Sequence, residues 1–160
     1  MDFLFDTTAD GRPFKVLSMC DEYTRESVAQ RLSRSITADD LATILDATVA
    51  KRGHPEFVRC DNGPEFTAQA IRDWCRFSGT GAAFIEPGSP WQNPYVESFN
   101  SRARDELFSR EVFTSITEAR VLYHDWCDQY NRHHPHSALG WLSPAAFATS
   151  CWAKPGGTRR

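Results

Sequence analysis

The sequence predicts an α/β domain, a mixed five-stranded sheet flanked by helices. Its length of 160 residues is typical of one domain rather than two. Three strand-like segments joined by turns come first, which indicates an antiparallel meander. Helix-like and strand-like segments then alternate, and the chain closes with helices. This order favours one sheet with helices on its faces.

The first three strands are predicted from short segments that end at turn residues. In the second of them, Phe14 and Val16 alternate with Lys15 and Leu17, which is the two-residue period of a strand. The three strands are expected at residues 2–6, 14–20 and 26–32, with turns at 9–11 and 21–24.

The period then becomes helical. Thr37, with Asp40 three residues later, resembles a capping box that starts a helix, and Gly53 and Pro55 end that helix near residue 52. The remaining elements are expected as a strand at 56–60, a helix at 67–78, a strand at 82–85, a proline-rich loop at 87–94, helices at 95–110 and 116–132, and a short helix at 144–149. We expect the core domain to span 1–149 and residues 150–160 to form a flexible tail.

Composition excludes several classes of protein. Apolar residues make up 41% of the chain and charged residues 24%, which is typical of a globular domain. No run of 18 uncharged apolar residues could span a membrane, and the N-terminus lacks the features of a signal peptide. The net charge of −3 gives no overall basic footprint for nucleic acid. Five scattered cysteines without a C-x-x-C pair predict reduced thiols in a cytoplasmic protein.

Three acids stand at the ends or starts of predicted elements. Asp2 lies on the first strand, Asp61 directly follows the fourth, and Glu97 lies in the first turn of the long helix. The C-terminal end of a strand is where open sheets place ligands. Asp2 would lie beside Asp61 if the first and fourth strands pair, and the proline-rich loop would bring Glu97 over the same edge.

Carboxylates in this arrangement suit metal-dependent phosphoryl transfer. Mg²⁺ prefers carboxylate oxygens, and two such ions ~3.5–4 Å apart activate the attacking oxygen and stabilise the leaving one. Asp61 would bridge both ions, while Asp2 and Glu97 would each complete one. An ordinary explanation stays open, because Asp-Asn-Gly is a common turn and the helix dipole alone stabilises an acid in a first turn.

The long helix is expected to present two stripes. The stripe expected to pack on the sheet is Val96, Phe99, Ala103 and Leu107. The stripe expected to face outward, toward a metal and a phosphate backbone, is Glu97, Asn100, Ser101 and Arg104.

Several motifs resemble the catalytic core of insertion-sequence transposases (the second-frame subunit) and of retroviral integrases. The matching segments are DNGPEF at 61–66, PWQNPYVESFN at 90–100, YN at 130–131 and PHSALGWLSP at 135–144. Thirty-five residues separate Asp61 from Glu97, and the acid-triad group of these families is named after that spacing. The likeness runs from residue 2 to about residue 149.

This resemblance implies a ribonuclease-H-like fold and two Mg²⁺ or Mn²⁺ ions held by Asp2, Asp61 and Glu97. It implies DNA as partner, nicking of DNA ends by water, strand transfer by the freed 3′-hydroxyl, and a possible homodimer. The residues that match positions beside the acids or in contact with DNA are Asn62, Asn93, Asn100 and Arg104. Arg102 and Arg104 are further expected to bind DNA phosphates, in a strongly salt-dependent manner.

The sequence departs from the family pattern in three places. The family usually has a tryptophan three residues before its first acid, whereas here only Met1 precedes Asp2, so a clipped first strand is expected to fray there. The helix-turn-helix region that precedes the core in such transposases is missing, which implies an excised core or a truncated gene. His134 stands where the family usually has arginine.

Two other functions stay open at this point. One is an inactive remnant of a transposase that only binds DNA or partners, which the clipped strand favours. The other is a ribonuclease-H-like nuclease that uses the same acids on RNA–DNA hybrids.

Side chains outside the triad also have competing interpretations. Trp91, in the loop beside the proposed site, is a candidate for base stacking. The histidines at 133–136 suggest zinc, but their spacing fits no common zinc pattern, so we expect a surface turn that closes the last long helix. Glu65 and Asp6 are expected to be solvated or capping groups.

Overall fold

The computed structural model describes residues 1–86 and 92–152, apart from the side chain of Trp152. The predicted loop at 87–94 and Trp91 therefore lie largely outside the described residues, as does most of the predicted tail. The strands are β1 (Asp2–Thr7), β2 (Pro13–Cys20), β3 (Ser27–Ser33), β4 (Phe57–Cys60) and β5 (Gly81–Phe84). The helices are α1 (Ala38–Arg52), α2 (Pro64–Thr67), α3 (Gln69–Ser78), α4 (Pro94–Ala103), α5 (Ile116–His133) and α6 (Pro144–Trp152).

The five predicted strands form two sheets by backbone pairing, so the prediction of one five-stranded sheet is wrong for the described residues. Strands β1, β2 and β3 form the predicted antiparallel meander, whereas β4 and β5 pair in parallel. The amine of Met1 donates to the carbonyl oxygen of Arg59 at 2.5 Å. This bond comes from the residue that precedes β1, and no backbone ladder joins β1 to β4 among the described residues.

The meander carries an apolar cluster on each face. The α4–α5 cluster includes Leu4, Phe14, Val16, Leu32, Phe99 and Tyr123. The α1–α3 cluster includes Leu17, Met19, Leu41, Leu45, Val58, Phe66 and Ile71. Because neighbouring residues of β2 point to opposite faces, Val16 and Leu17 are both fully buried in different clusters. The architecture is therefore a sheet with helices on both faces, as the order of elements predicts.

Local sequence signals fix several helix ends. The capping box at α1 is present, with the Asp40 amide donating to Thr37 Oγ1 and the Thr37 amide donating to Asp40 Oδ2. The predicted helix at 95–110 is instead α4 followed by a π-helical turn, Arg104–Phe108. That wider turn lets the adjacent Leu107 and Phe108 both face the core.

The C-terminal motif fastens α5 to the meander. Asn131, near the end of α5, accepts from the amide of Ser27 at 2.8 Å and donates to its carbonyl oxygen at 2.9 Å. A 3₁₀ turn, Ser137–Leu139, then leads into α6. His134 stacks on Tyr130, so the histidines lie in the turn that closes α5.

Two further findings concern the whole described region. Within residues 1–86 and 92–152, no helix has the length and hydropathy to cross a bilayer. All five cysteines are free, and Cys60, Cys75 and Cys127 are buried.

Candidate active site

Asp2 is the half-buried acid at the start of β1, opposite Ser18 of β2. Its Oδ1 accepts from the amide of Phe3 at 2.8 Å, and its Oδ2 accepts from Asn100 Nδ2 at 2.9 Å. Burial raises the pKa of the Asp2 carboxyl, and the nearby charge of Asp61 raises it further. The two hydrogen bonds oppose that rise without cancelling it.

Asp61 follows β4 directly and is fixed by its own turn. Its Oδ1 accepts from the amide of Gly63 at 2.9 Å. A Cβ at Gly63 would lie 3.0 Å from that same oxygen and 3.3 Å from the ring of Phe66, so a glycine is favoured here. Asn62 donates to the carbonyl oxygen of Ile85 at 2.5 Å, which ties the ends of β4 and β5 together.

Glu97 lies in the first turn of α4, three residues after Pro94 starts the helix. Burial raises the pKa of the Glu97 carboxyl, and the charge of Asp2 adds to the rise. Asn93, the residue before the helix, is buried and donates to the carbonyl oxygen of Met1 at 3.3 Å. The start of the helix is thereby held against the residue that precedes Asp2.

Asp2 is the electrostatic neighbour of both other acids. It senses the charge of Asp61, and Glu97 senses the charge of Asp2. Even so, the described part of the chain contains no group of three His, Cys, Asp or Glu side chains placed to hold a metal ion. Each oxygen of Asp2 accepts one hydrogen bond, from Phe3 and from Asn100 respectively, and keeps a lone pair for a further ligand.

The predicted outward stripe of α4 needs one correction, because Asn100 is buried. It stands four residues after Val96 and three before Ala103, so helical geometry puts all three on one face. The sequence interpretation assigned it to the stripe of Glu97, Ser101 and Arg104. Ser101 and Arg104 are exposed and Glu97 is half-buried. Asn100 therefore supports Asp2 from within the core.

The donors of this site fit a hard divalent cation. Carboxylates are the preferred ligands of Mg²⁺. Burial, together with the charge of an acidic neighbour, raises the pKa of the Asp2 and Glu97 carboxyls, so a bound cation would stabilise their charged forms. Beside Asp2, the buried Oδ1 of Asn100 has no hydrogen-bond partner among the described residues. A cation or its water would satisfy these groups.

The two arginines predicted to bind DNA lie at the end of α4. Arg104 is exposed and donates to the carbonyl oxygen of Phe5 at 3.0 Å. Arg102 forms a close contact with His134 and a 3.7 Å ion pair with Glu106. Both guanidinium groups have intramolecular partners, and each keeps further donors.

The alternative acids have local partners of their own. Glu65 forms an ion pair with Lys15, and this hydrogen bond lowers the pKa of the Glu65 carboxyl. Asp6 Oδ1 accepts from the amide of Thr7 at 2.7 Å.

Sequence reasoning missed one residue that links β4 to the start of α4. Arg59, two residues before Asp61, pairs with Glu22 at 2.8 Å and donates to the carbonyl oxygen of Gln92 at 3.0 Å. The side chain of Gln92 in turn accepts from the amide of Glu86 at 2.9 Å. No motif or spacing signals these contacts, because each partner is distant in sequence or outside the acid motifs.

The fold is that of a ribonuclease-H-like core of the transposase and integrase class. Among solved structures, the catalytic core domain of HTLV-2 integrase in complex with magnesium matches 91% of this chain and 93% of that chain, with a TM-score of 0.66 and 11% identity. At that identity the likeness concerns the fold alone.

Family models titled integrase core domain match residues 1–90 and 78–144, and the chain belongs to the integrase core domain family. An uncharacterised 39.2 kDa protein of insertion element IS476 from Xanthomonas euvesicatoria is 43% identical over 94% of this chain and 43% of its own length. An uncharacterised 31.7 kDa protein of insertion element IS407 from Burkholderia multivorans is 39% identical over 92% of this chain and 53% of its own length. The chain thus spans about half the length of these relatives.

Proposed function

We propose that this chain is the catalytic core of a DNA transposase, in which Asp2, Asp61 and Glu97 bind Mg²⁺ or Mn²⁺ for phosphoryl transfer at DNA ends. The reaction would comprise end nicking by water and strand transfer by the freed 3′-hydroxyl. The observation that carries the proposal is that the end of β4, the start of β1 and the start of α4 meet at Met1, whose amine donates to the Arg59 carbonyl oxygen and whose carbonyl oxygen accepts from Asn93. Each of the three acids lies within a few residues of that meeting point. Family membership, the insertion-element relatives and the magnesium-bound viral core support it.

The residues of the chain would divide the work as follows. Bound divalent ions would supply activation of the attacking oxygen and stabilisation of the leaving oxygen. Asn100 orients the Asp2 carboxylate, and the amide of Gly63 orients that of Asp61. Each carboxylate oxygen has two lone pairs, so the bonds from Phe3 and Asn100 leave both Asp2 oxygens able to bind an ion.

DNA would be held chiefly through its phosphates. Arg102 lies on α4, the helix that carries Glu97, and Arg104 is exposed at the start of the π-helical turn that continues it. We propose that these two arginines contact DNA phosphates and that the exposed Asn62 contacts the sugar–phosphate backbone of DNA. Asn93 and Asn100 are buried, so a role beside the acids suits them better than direct contact with DNA. A homodimer stays a prediction.

Manganese binding tests the proposal most directly. Millimolar Mn²⁺ should raise the thermal unfolding midpoint of the chain, since an ion that binds only the folded state at one hundred times its Kd stabilises it by about 2.7 kcal/mol. Asp61→Asn should abolish that rise. Asp105→Asn, at an exposed acid of the π-helical turn, is the matched control and should keep it.

One observation favours the alternative of an inactive remnant: the described residues hold no group of three His, Cys, Asp or Glu side chains placed to bind a metal ion. Absence of any shift at millimolar Mn²⁺ would support that alternative. Where the shift is present, nicking and joining of duplex DNA should follow. Cleavage of RNA–DNA hybrids without either activity on DNA would instead indicate a hybrid nuclease.

A further inference from the structure

The turn between β2 and β3 contains an arginine in a conformation that favours glycine. Arg25 has a φ of 64°, in the left-handed region that side chains other than glycine rarely adopt. The turn is closed by hydrogen bonds from the Asp21 amide to the Glu26 carbonyl oxygen and from the Arg25 amide to the Asp21 carbonyl oxygen. Glycine would adopt this backbone more easily, which indicates that the side chain of Arg25 has a role of its own.

That side chain packs face-on against the helix that carries Glu97. The guanidinium carbon of Arg25 lies 3.7 Å from the ring centroid of Tyr95, in a cation–π contact. Arg25 Nη1 is buried and has no hydrogen-bond partner among the described residues. Stacking on Tyr95, rather than polar bonds from that nitrogen, therefore orients this end of the group.

The first turn of α4 depends on such outside contacts. Asn93, at the N-cap position, makes no side-chain capping bond with the described helix residues. The first backbone bond of the helix, from the Glu97 amide to the Asn93 carbonyl oxygen, is long at 3.3 Å. Tyr95 lies two residues before Glu97, so a contact on its ring acts directly on the turn that presents the acid.

We propose that Arg25 is a positioning residue, which holds the first turn of α4 through Tyr95 and thereby keeps Glu97 oriented toward Asp2. This inference rests on the proposed function, in which Glu97 is a metal ligand. It assigns a role in the site to the β2–β3 turn, which none of the acid motifs includes.

Arg25→Gly is the decisive variant, because it removes the side chain while leaving a residue that suits the backbone. The unfolding midpoint of the metal-free variant should equal or exceed that of the wild type. Its Mn²⁺ affinity, measured by electron paramagnetic resonance, should fall about tenfold, as is typical when a residue that supports a metal ligand is lost. A purely structural role for Arg25 would give the opposite pair of results.

Variants of Tyr95 provide the matched controls. Tyr95→Phe keeps the ring and should retain wild-type affinity for Mn²⁺, whereas Tyr95→Leu should lose about as much as Arg25→Gly. The double variant Arg25→Gly/Tyr95→Leu should lose no more Mn²⁺ affinity than either of these single variants, because both substitutions remove the same contact. Unchanged affinity in Arg25→Gly, or fully additive losses, would overturn the proposal.

Hydrogen exchange separates this inference from the proposed function. In metal-free protein, Arg25→Gly should speed exchange of the Glu97 amide, while amides in the middle of α5 keep their wild-type rates. If wild-type protein shows no Mn²⁺ binding sensitive to Asp61→Asn, the proposed function fails, yet this exchange result still tests the positioning. An unchanged Glu97 amide would overturn the positioning itself.

Discussion

The two sheets of this molecule differ in how completely they are covered. The β1–β3 meander has a buried apolar cluster on each face. The β4–β5 pair buries Val58 and Cys60 on one side, but leaves Phe57 61% exposed and Phe84 37% exposed. Asp2 belongs to the first sheet, and Asp61 follows a strand of the second. The candidate site therefore joins a well-packed part of the molecule to a sparsely packed one.

This difference shows where the geometry of the site is decided. A two-stranded sheet has little stability of its own, so the position of Asp61 depends on what fastens the pair to its surroundings. Polar bonds fasten the pair through the Met1 amine, which donates to the Arg59 carbonyl oxygen, and through the Arg59 side chain, which binds Glu22 and Gln92. On its apolar side, β4 contributes Val58 and Cys60 to the α1–α3 cluster, whereas the meander is packed on both faces.

Truncating one phenylalanine in each sheet should give the largest contrast. Phe14→Ala removes a ring that is 1% exposed and contacts Phe113 and Phe108, so the free energy of unfolding should fall by about 3–5 kcal/mol. Phe57→Ala removes a mostly exposed ring and should cost about 0.5 kcal/mol. Urea denaturation followed by circular dichroism measures both. Equal losses would show that the second sheet is as well packed as the first.

A pair of asparagine truncations should give a smaller contrast of the same kind. Asn100→Ala leaves the half-buried Asp2 without its side-chain donor, and a hydrogen bond to a charged group is worth about 1.5–3 kcal/mol. Asn62→Ala removes an exposed amide from the Ile85 carbonyl oxygen, and water can replace it, so about 0.5 kcal/mol is expected. The same denaturation experiment compares them. A larger fall in the free energy of unfolding for Asn62→Ala than for Asn100→Ala would show that the bond within the β4–β5 pair contributes more to stability.

The same contrast explains what could be predicted from the sequence. The meander, the capping box at Thr37 and the buried face of α4 follow from local periodicity and turn chemistry, and the structure confirms them. The separation of β4 from β1 could not be predicted, because strand overlap depends on a tertiary register. The sequence predicts Asn100 on the outward stripe of α4, whereas the structure buries it. Only its helical spacing from Val96 and Ala103 indicates the buried face, because its polar side chain favours the exposed one. The three acids of the candidate site are predicted from their places at the ends of elements and from the family motifs, and their role as ligands stays a prediction.

Titration of Asp2 should give the smallest effect and the most specific one. Burial, and then the charge of Asp61, raise the pKa of this carboxyl above its ordinary value of 3.8, so the folded chain binds the proton more tightly than the unfolded chain does. A carboxyl shifted in this direction favours folding on the acid side. That contribution is lost as the pH rises through the raised pKa.

Asp2→Asn should therefore gain stability relative to the wild type as the pH rises from about 4 to neutrality. Urea denaturation at each pH, in metal-free buffer, gives the difference between the two proteins and removes the opposite trend of acids with lowered pKa, such as Glu65 and Asp40. Asp61→Asn removes the neighbouring charge but not the burial, so its gain should be smaller and in the same direction. Parallel pH profiles for wild type and Asp2→Asn would mean that neither burial in the β1–β3 meander nor the charge of Asp61 shifts the pKa of Asp2. The difference in packing between the two sheets would then not affect the candidate site.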